Sequence, residues 1–176
     1  RSILGRKTGH ESKIYPSFAE KKFSIPKQDF KPTEENLEIL EGNKKKEFLK
    51  GAEIAYESIL TSFASGDLIK LKALLSSKMF SNFSDAIKLR NKENIKSEFT
   101  FIGIKESSVE NYEKVKDDLF ATVKFVAEVI SFKKDKDNKI IEGNPDKIKF
   151  VTDSWKFTKN INNKSPNWYL FEITGK

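Results

Sequence analysis

The stretch "DLFATVKFVAEVISF", residues 118–132, decides how the chain folds. Leu119, Ala121, Val123, Phe125, Ala127 and Val129 occupy every second position, and a strand sends alternate side chains to opposite faces, so one apolar face runs along the segment. Phe99 to Ile104 shows the same period upstream and is expected to continue irregularly to Tyr112. Downstream, "KKDKDNK" reads as a charged loop and Asn144-Pro145 as a turn. Residues 147–159 then return as a third strand, and a fourth runs over about 167–173.

Before residue 98 the period is helical. Phe48, Ala52, Ala55, Tyr56, Ile59, Leu60 and Phe63 repeat at three-to-four spacing, with Lys50, Glu53, Glu57 and Thr61 on the other side, which predicts a helix over 44–65. "SGD" stops it at Gly66 and offers Asp67 as N-cap of a second helix, "LIKLKALL". Ser76 or Ser77 caps a third, whose stripe is Met79, Phe80, Phe83, Ala86 and Ile87. Thr33 also caps a short helix over 34–41, with Glu34 and Glu35 in its first turn and Gly42 as a stop. The order implies an α+β fold in which three N-terminal helices pack on a curved four-stranded antiparallel sheet. Trp155 and Phe157 then share a face with Phe125, so their rings line the concave side against Tyr56, Phe63 and Phe83, with Trp168 on the last strand. That ring surface is either a packed core or a partly open apolar pocket for an acyl chain or an apolar peptide.

At 176 residues the chain holds one globular domain, expected over 33–176, preceded by an extended basic arm over 1–32 that Pro16, Pro26 and Pro32 interrupt. Fifteen phenylalanines exclude general disorder, and the absence of cysteine excludes disulfides and thiolate metal sites. No apolar run approaches the roughly 18 residues of a spanning helix. The chain begins at an arginine, so the arm is expected to follow a membrane anchor that has been removed. Of the net charge of +7, the arm carries +5: Arg1, Arg6, Lys7, Lys13, Lys21, Lys22, Lys27 and Lys31 against Glu11, Glu20 and Asp29. An anionic surface is therefore a partner for the arm more than for the domain.

Chemistry is hard to find. The single histidine, His10, lies in the arm, so histidine-based triads have no base in the folded part. No Walker A loop, G-x-G-x-x-G or G-x-S-x-G occurs. "DKDNKIIEG" starts like a calcium loop at Asp135 and Asp137, but Lys139, Ile140 and Asp146 fill the positions that need an oxygen ligand, glycine and a bidentate glutamate. No metal or cofactor is expected. Asp153 is the one acid well inside a core strand, and a single carboxylate is not a glycosidase pair. Tyr15, Phe18, Phe23 and Phe30 among basic residues could stack on single strands. Yet 30 of the 33 cations are lysine and no nucleic-acid module is recognisable, so nucleic acid is set aside.

"NKKKEFLKGAEIAYE" is more informative. Lys44, Lys45 and Lys46 stand at the expected start of the long helix, where the macrodipole disfavours cations by roughly 0.3–1 kcal/mol each. Either they face an anionic membrane with Phe48 and Leu49 at its interface, or the helix runs through Gly42 and places them mid-helix beside Glu41 and Glu47. Arg6, Lys7, Lys13, Lys21 and Lys22 of the arm add to such a surface. At about 1 kcal/mol per cation the arm supplies at most roughly 5 kcal/mol, which is about millimolar binding and reversible.

Several segments together resemble the Tim-forty-four-like domain: "FLKGAEIAYESILTSFASGDLIKLKALLSSKMFSNF", "IIEGNPDKIKFVTDSWKF" and "SPNWYLFEI". The likeness spans about residues 44–173. It is carried by Phe48, Leu49, Gly51 and Ala52, by Ala55, Tyr56 and Glu57, by Gly66 and Asp67, by Leu74, Leu75 and Ser76, by Asp153 and Trp155, and by Asn167 and Trp168. "RSILGRKTGHE" is similar to the stretch after the membrane anchor of bacterial members. The resemblance implies a cystatin-like or nuclear-transport-factor-two-like fold, a large apolar pocket and a non-enzymatic role at the inner membrane, with anionic lipid such as cardiolipin bound by early amphipathic helices. It also implies inner-membrane transport or assembly proteins as partners. Mitochondrial members tether the seventy-kilodalton heat-shock chaperone through a longer N-terminal region, which this arm does not match, so chaperone tethering is not carried over. The excess of lysine over arginine suggests an AT-rich genome and favours a bacterial member over one on the matrix side of mitochondria. The expected function is a non-catalytic membrane-associated adaptor. The alternatives are a small-molecule-binding or enzymatic domain using the apolar cavity, and a membrane-facing ribosome adaptor.

Overall fold

The computed structural model describes residues 12–13, 16–19 and 42–174. Helix α1 spans Gly42–Ser65. Gly42 has a φ of 56°, outside the right-handed helical region, so the helix starts there and does not run through it. The lysines at 44–46 therefore belong to its opening turn, and the mid-helix alternative is excluded. The helix expected over 34–41 lies outside the described residues. Gly66, with φ 80°, ends α1 as its N–H bonds Ser62 O at 2.8 Å. Helix α2, Leu68–Leu74, is capped by Asp67, whose carboxylate accepts the Lys70 N–H at 3.1 Å. Helix α3, Ser77–Lys92, is capped by Ser76, and the Ser76 N–H also bonds Leu170 O at 2.9 Å, which ties this corner to the sheet.

Strands β1 (Ser12–Lys13), β2 (Lys96–Val115), β3 (Asp118–Lys134), β4 (Ile140–Gly143), β5 (Lys149–Asn160) and β6 (Tyr169–Thr174) form one antiparallel sheet in the order β1-β6-β5-β3-β2, with β4 pairing β3 beyond the start of β5. Four strands were expected. The two additional ones are short and carry no period of their own: Ser12–Lys13 pairs Ile173–Thr174, and Ile140–Gly143 follows the charged turn. At Gly143, φ is 83° and a Cβ would lie 2.3 Å from Ser131 O, so only glycine lets β4 approach β3 there. Strand β2 is far longer than the Phe99–Ile104 segment. Register shifts at Phe101/Gly103, Ile104/Glu106 and Val109/Asn111 break its alternation where the sequence period fades, and they bend the strand.

The helices lie on one face of the curved sheet, as the patterning predicts. Ala121, Val123, Phe125, Ala127 and Val129 of β3 and Val151, Trp155 and Phe157 of β5 are buried there with Tyr56, Ile59 and Leu60 of α1 and Phe83 and Ile87 of α3. Each large side chain contributes on the order of 2 kcal/mol by leaving water. This is α+β architecture with its aromatic mass on the concave, helix-covered side.

Candidate functional site

The register sets Phe125 opposite Asp153 and Val123 opposite Trp155, so β3 and β5 present their rings to the same side. Tyr56 reaches down from α1 and stacks on Phe125 at 4.1 Å and 17°, with Trp155 4.6 Å away. Phe125 and Trp155 each lie within 6.4 Å of Phe157. Phe63 and Phe83 meet at 4.9 Å nearer the far end of α1. Trp168 lies half-buried at the margin of this group, with Phe48 4.8 Å and Tyr112 6.4 Å away. Six of the seven expected pocket residues thus converge as buried rings of one core, and the seventh, Trp168, packs against its margin.

One carboxylate sits inside this apolar layer. Asp153 is 3% exposed. Its Oδ2 accepts the Tyr56 hydroxyl at 2.7 Å, and its Oδ1 accepts the Ser17 N–H at 3.1 Å. The Ser17 hydroxyl bonds the same Oδ1, with the Thr152 carbonyl 3.0 Å from it. Burial, then the negative charge of Asp153, then the hydrogen bond to it push the Tyr56 phenol far above its ordinary range. Trp155 Nε1 is buried with no hydrogen-bond partner among the described residues, a cost of about 1–3 kcal/mol that the packing must offset.

Ser17 and its neighbours come from the expected arm. Ser17–Ala19 forms a single 3-10 turn, and Phe18 is 3% exposed with its ring 4.7 Å from Phe99 and 5.9 Å from Phe63. At least this part of residues 1–32 packs into the folded body, and Phe18 is not available to stack on a nucleic-acid base. The sequence offered one signal for it, a large ring directly after Pro16 and Ser17.

The lysine end of α1 is built differently. Lys44, Lys45 and Lys46 are exposed, no acid stands in the first helical turn, and they form no ion pair with a described residue. Phe48 turns inward, 6.5 Å from Phe157 besides its contact with Trp168, and Leu49 is half-buried against the core. These two were expected at a membrane interface; their contacts make them the core's closure beneath the lysines. Only the backbone of Lys13 is described, in β1; Arg6, Lys7, Lys21, Lys22 and His10 lie outside the described residues. Arg90 was not singled out by the sequence. Its Nη2 donates to Phe63 O at 3.0 Å and Ala64 O at 3.2 Å, closing the C-terminal end of α1, and its guanidinium lies 5.4 Å over the Phe63 ring. Asp135 Oδ1 accepts the N–H groups of Asp137 and Lys139, so it closes a turn. Among the described residues no group of three or more His, Cys, Asp or Glu comes together.

Three helices on a curved antiparallel sheet, with a ring-filled concave face and a cationic helix end, define a small α+β domain. The chain belongs to the Tim44-like domain family, which it matches over residues 36–175. That family is membrane-associated and related to protein transport, and no helix among the described residues is long and apolar enough to cross a membrane. Comparison with curated proteins finds no significant match. Among solved structures, the intermembrane space region of the chloroplast protein ARC6 aligns with a TM-score of 0.49 at 13% identity, covering 73% of this chain and 97% of that one. A ketosteroid isomerase-like protein from Erwinia carotovora atroseptica aligns at 0.42 and 14%, covering 76% and 96%. Likenesses of this strength say nothing of function.

Proposed function

We propose that this domain is a non-catalytic, peripheral membrane adaptor that binds anionic phospholipid of the cardiolipin kind and scaffolds transport or assembly proteins at an inner membrane, in a bacterium. The observation that carries the reading is the lysine turn: Lys44, Lys45 and Lys46 are exposed at the helix end where the macrodipole opposes them, with no neighbouring acid in that turn. An anionic surface would relieve that conflict, at about 1 kcal/mol per lysine. The arm's +5 would add to the same attraction. Against catalysis stands the buried pair itself, because Tyr56 and Ser17 already occupy both oxygens of Asp153.

Co-sedimentation with vesicles tests the reading. At low salt the chain should pellet with vesicles containing cardiolipin and stay in solution with neutral ones, and recovery should fall as salt rises. Reversing the three lysines to glutamate should weaken binding by about tenfold or more. Equal recovery on neutral and anionic vesicles would overturn the proposal.

A further inference from the structure

The end of the concave face away from the lysine turn is closed by the chain's own arm. From Lys44 to Phe63, α1 advances roughly 29 Å at 1.5 Å per residue, so the two regions stand at opposite ends of one helix. At the far end a slot lies between Phe63 of α1 and Phe99 of β2, with Asp153 and the Thr152 carbonyl of β5 at its margin. Its occupant is a short peptide step: the Phe18 ring fills the apolar part, while the Ser17 N–H and hydroxyl supply donors to Asp153.

We infer that this slot is a peptide-docking site, held in cis by Pro16-Ser17-Phe18 and open in trans to a polypeptide segment that presents an aromatic side chain directly after a small hydroxyl residue. Two features argue for a peptide. The recognition elements are an acceptor carboxylate and carbonyl set beside an apolar cleft, and that combination reads a backbone N–H, a hydroxyl and a ring together. An acyl chain would fill the cleft and leave Asp153 with fewer donors than it now has, which burial makes costly. The described attachments of the cis segment are local ones: Pro16 and Phe18 are buried, the Ser17 N–H donates to Asp153, and Ser12–Lys13 pairs β6. A resident of that kind lowers the apparent affinity of any competitor without abolishing it. The inference does not depend on lipid binding, since the slot and the lysine turn are separate.

The probe is a fluorescein-labelled peptide, SKIYPSFAE, copied from residues 12–20, measured by fluorescence anisotropy with no vesicles present. The full chain carrying Ser17→Ala and Phe18→Ala should bind it saturably and at least tenfold more tightly than the unaltered chain, whose own arm competes. A peptide of unrelated sequence that keeps one Ser-Phe step should compete, and the same peptide with Ser-Phe changed to Ala-Ala should not. Adding Asp153→Asn to the arm variant should weaken binding of SKIYPSFAE severalfold. Hydrogen exchange on the unaltered chain needs no variant to fold: saturating peptide should accelerate exchange at the Ser17 and Phe18 amides. Exchange rates unchanged by peptide, or equal binding with and without the arm substitutions, would overturn the inference.

Discussion

The two faces of β3 and β5 use the same strands for opposite ends. On the concave side, odd-numbered positions bring together Val123, Phe125, Trp155 and Phe157, all at most 1% exposed, around a single carboxylate whose donors are all supplied by the protein. On the convex side, even-numbered positions carry charge. Lys124 lies 3.9 Å from Glu106, and Lys156 lies 3.9 Å from Glu113 and 3.7 Å from Glu172. Those lysine side chains remain about a quarter exposed, so water and salt screen what the pairing contributes. Parity along a strand thus separates residues that hold the fold together from residues that keep it in solution.

The sharpest way to break this contrast is Trp155→Ala, which should cost about 3–5 kcal/mol in urea unfolding followed by far-ultraviolet circular dichroism. Asp153→Ala comes next, at about 3 kcal/mol, because it strands the Tyr56 hydroxyl and the Ser17 N–H without an acceptor. A pH series sharpens the comparison further. The folded state holds the Tyr56 proton above the ordinary value of 10.0, so the stability due to that proton is fully present below pH 10 and is lost as pH rises beyond it. Between pH 10 and 11 the unaltered chain should lose about 1 kcal/mol more than Tyr56→Phe does. Arg90→Lys should cost about 1 kcal/mol, since an ammonium cannot span two carbonyls and cover the Phe63 ring in one geometry. Lys156→Ala, on the convex side, should shift stability by about 0.5 kcal/mol or less. A convex substitution as costly as Trp155→Ala would end the distinction.

How much of this could be read beforehand follows from how local each feature is. Asp67 and Ser76 act within one turn of the helices they cap, and both are legible from a few residues. The two-residue period of β3 spans 17 residues and fixes which of its sides is buried. That Phe125 and Trp155 share a face follows from the same alternation. By contrast, the Tyr56 to Asp153 bond joins positions 97 apart, and the Ser17 to Asp153 bond joins positions 136 apart, so no window of sequence contains either pair. Phe18 looks like an arm residue because the slot that receives it is assembled from α1 and β2. Phe48 likewise finds its partners far away in sequence. It neighbours three lysines in sequence, yet the partners that hold it are Phe157 and Trp168. The seven residues expected at the pocket follow from periodicity, which finds a buried side but not how deeply each ring lies in it, and so does not mark Trp168 as the half-buried member.

Strand β2 ends the sheet among the described residues, and an edge strand of twenty residues would ordinarily invite another strand to zip on. Its three register shifts answer that hazard. A second chain sliding up to it would find the ladder of donors and acceptors out of step at Gly103, again at Glu106 and again at Asn111. The curvature that lets the sheet wrap its rings therefore also protects the protein from fibrous self-assembly, and straightening β2 by deleting one extra residue should show itself first as aggregation.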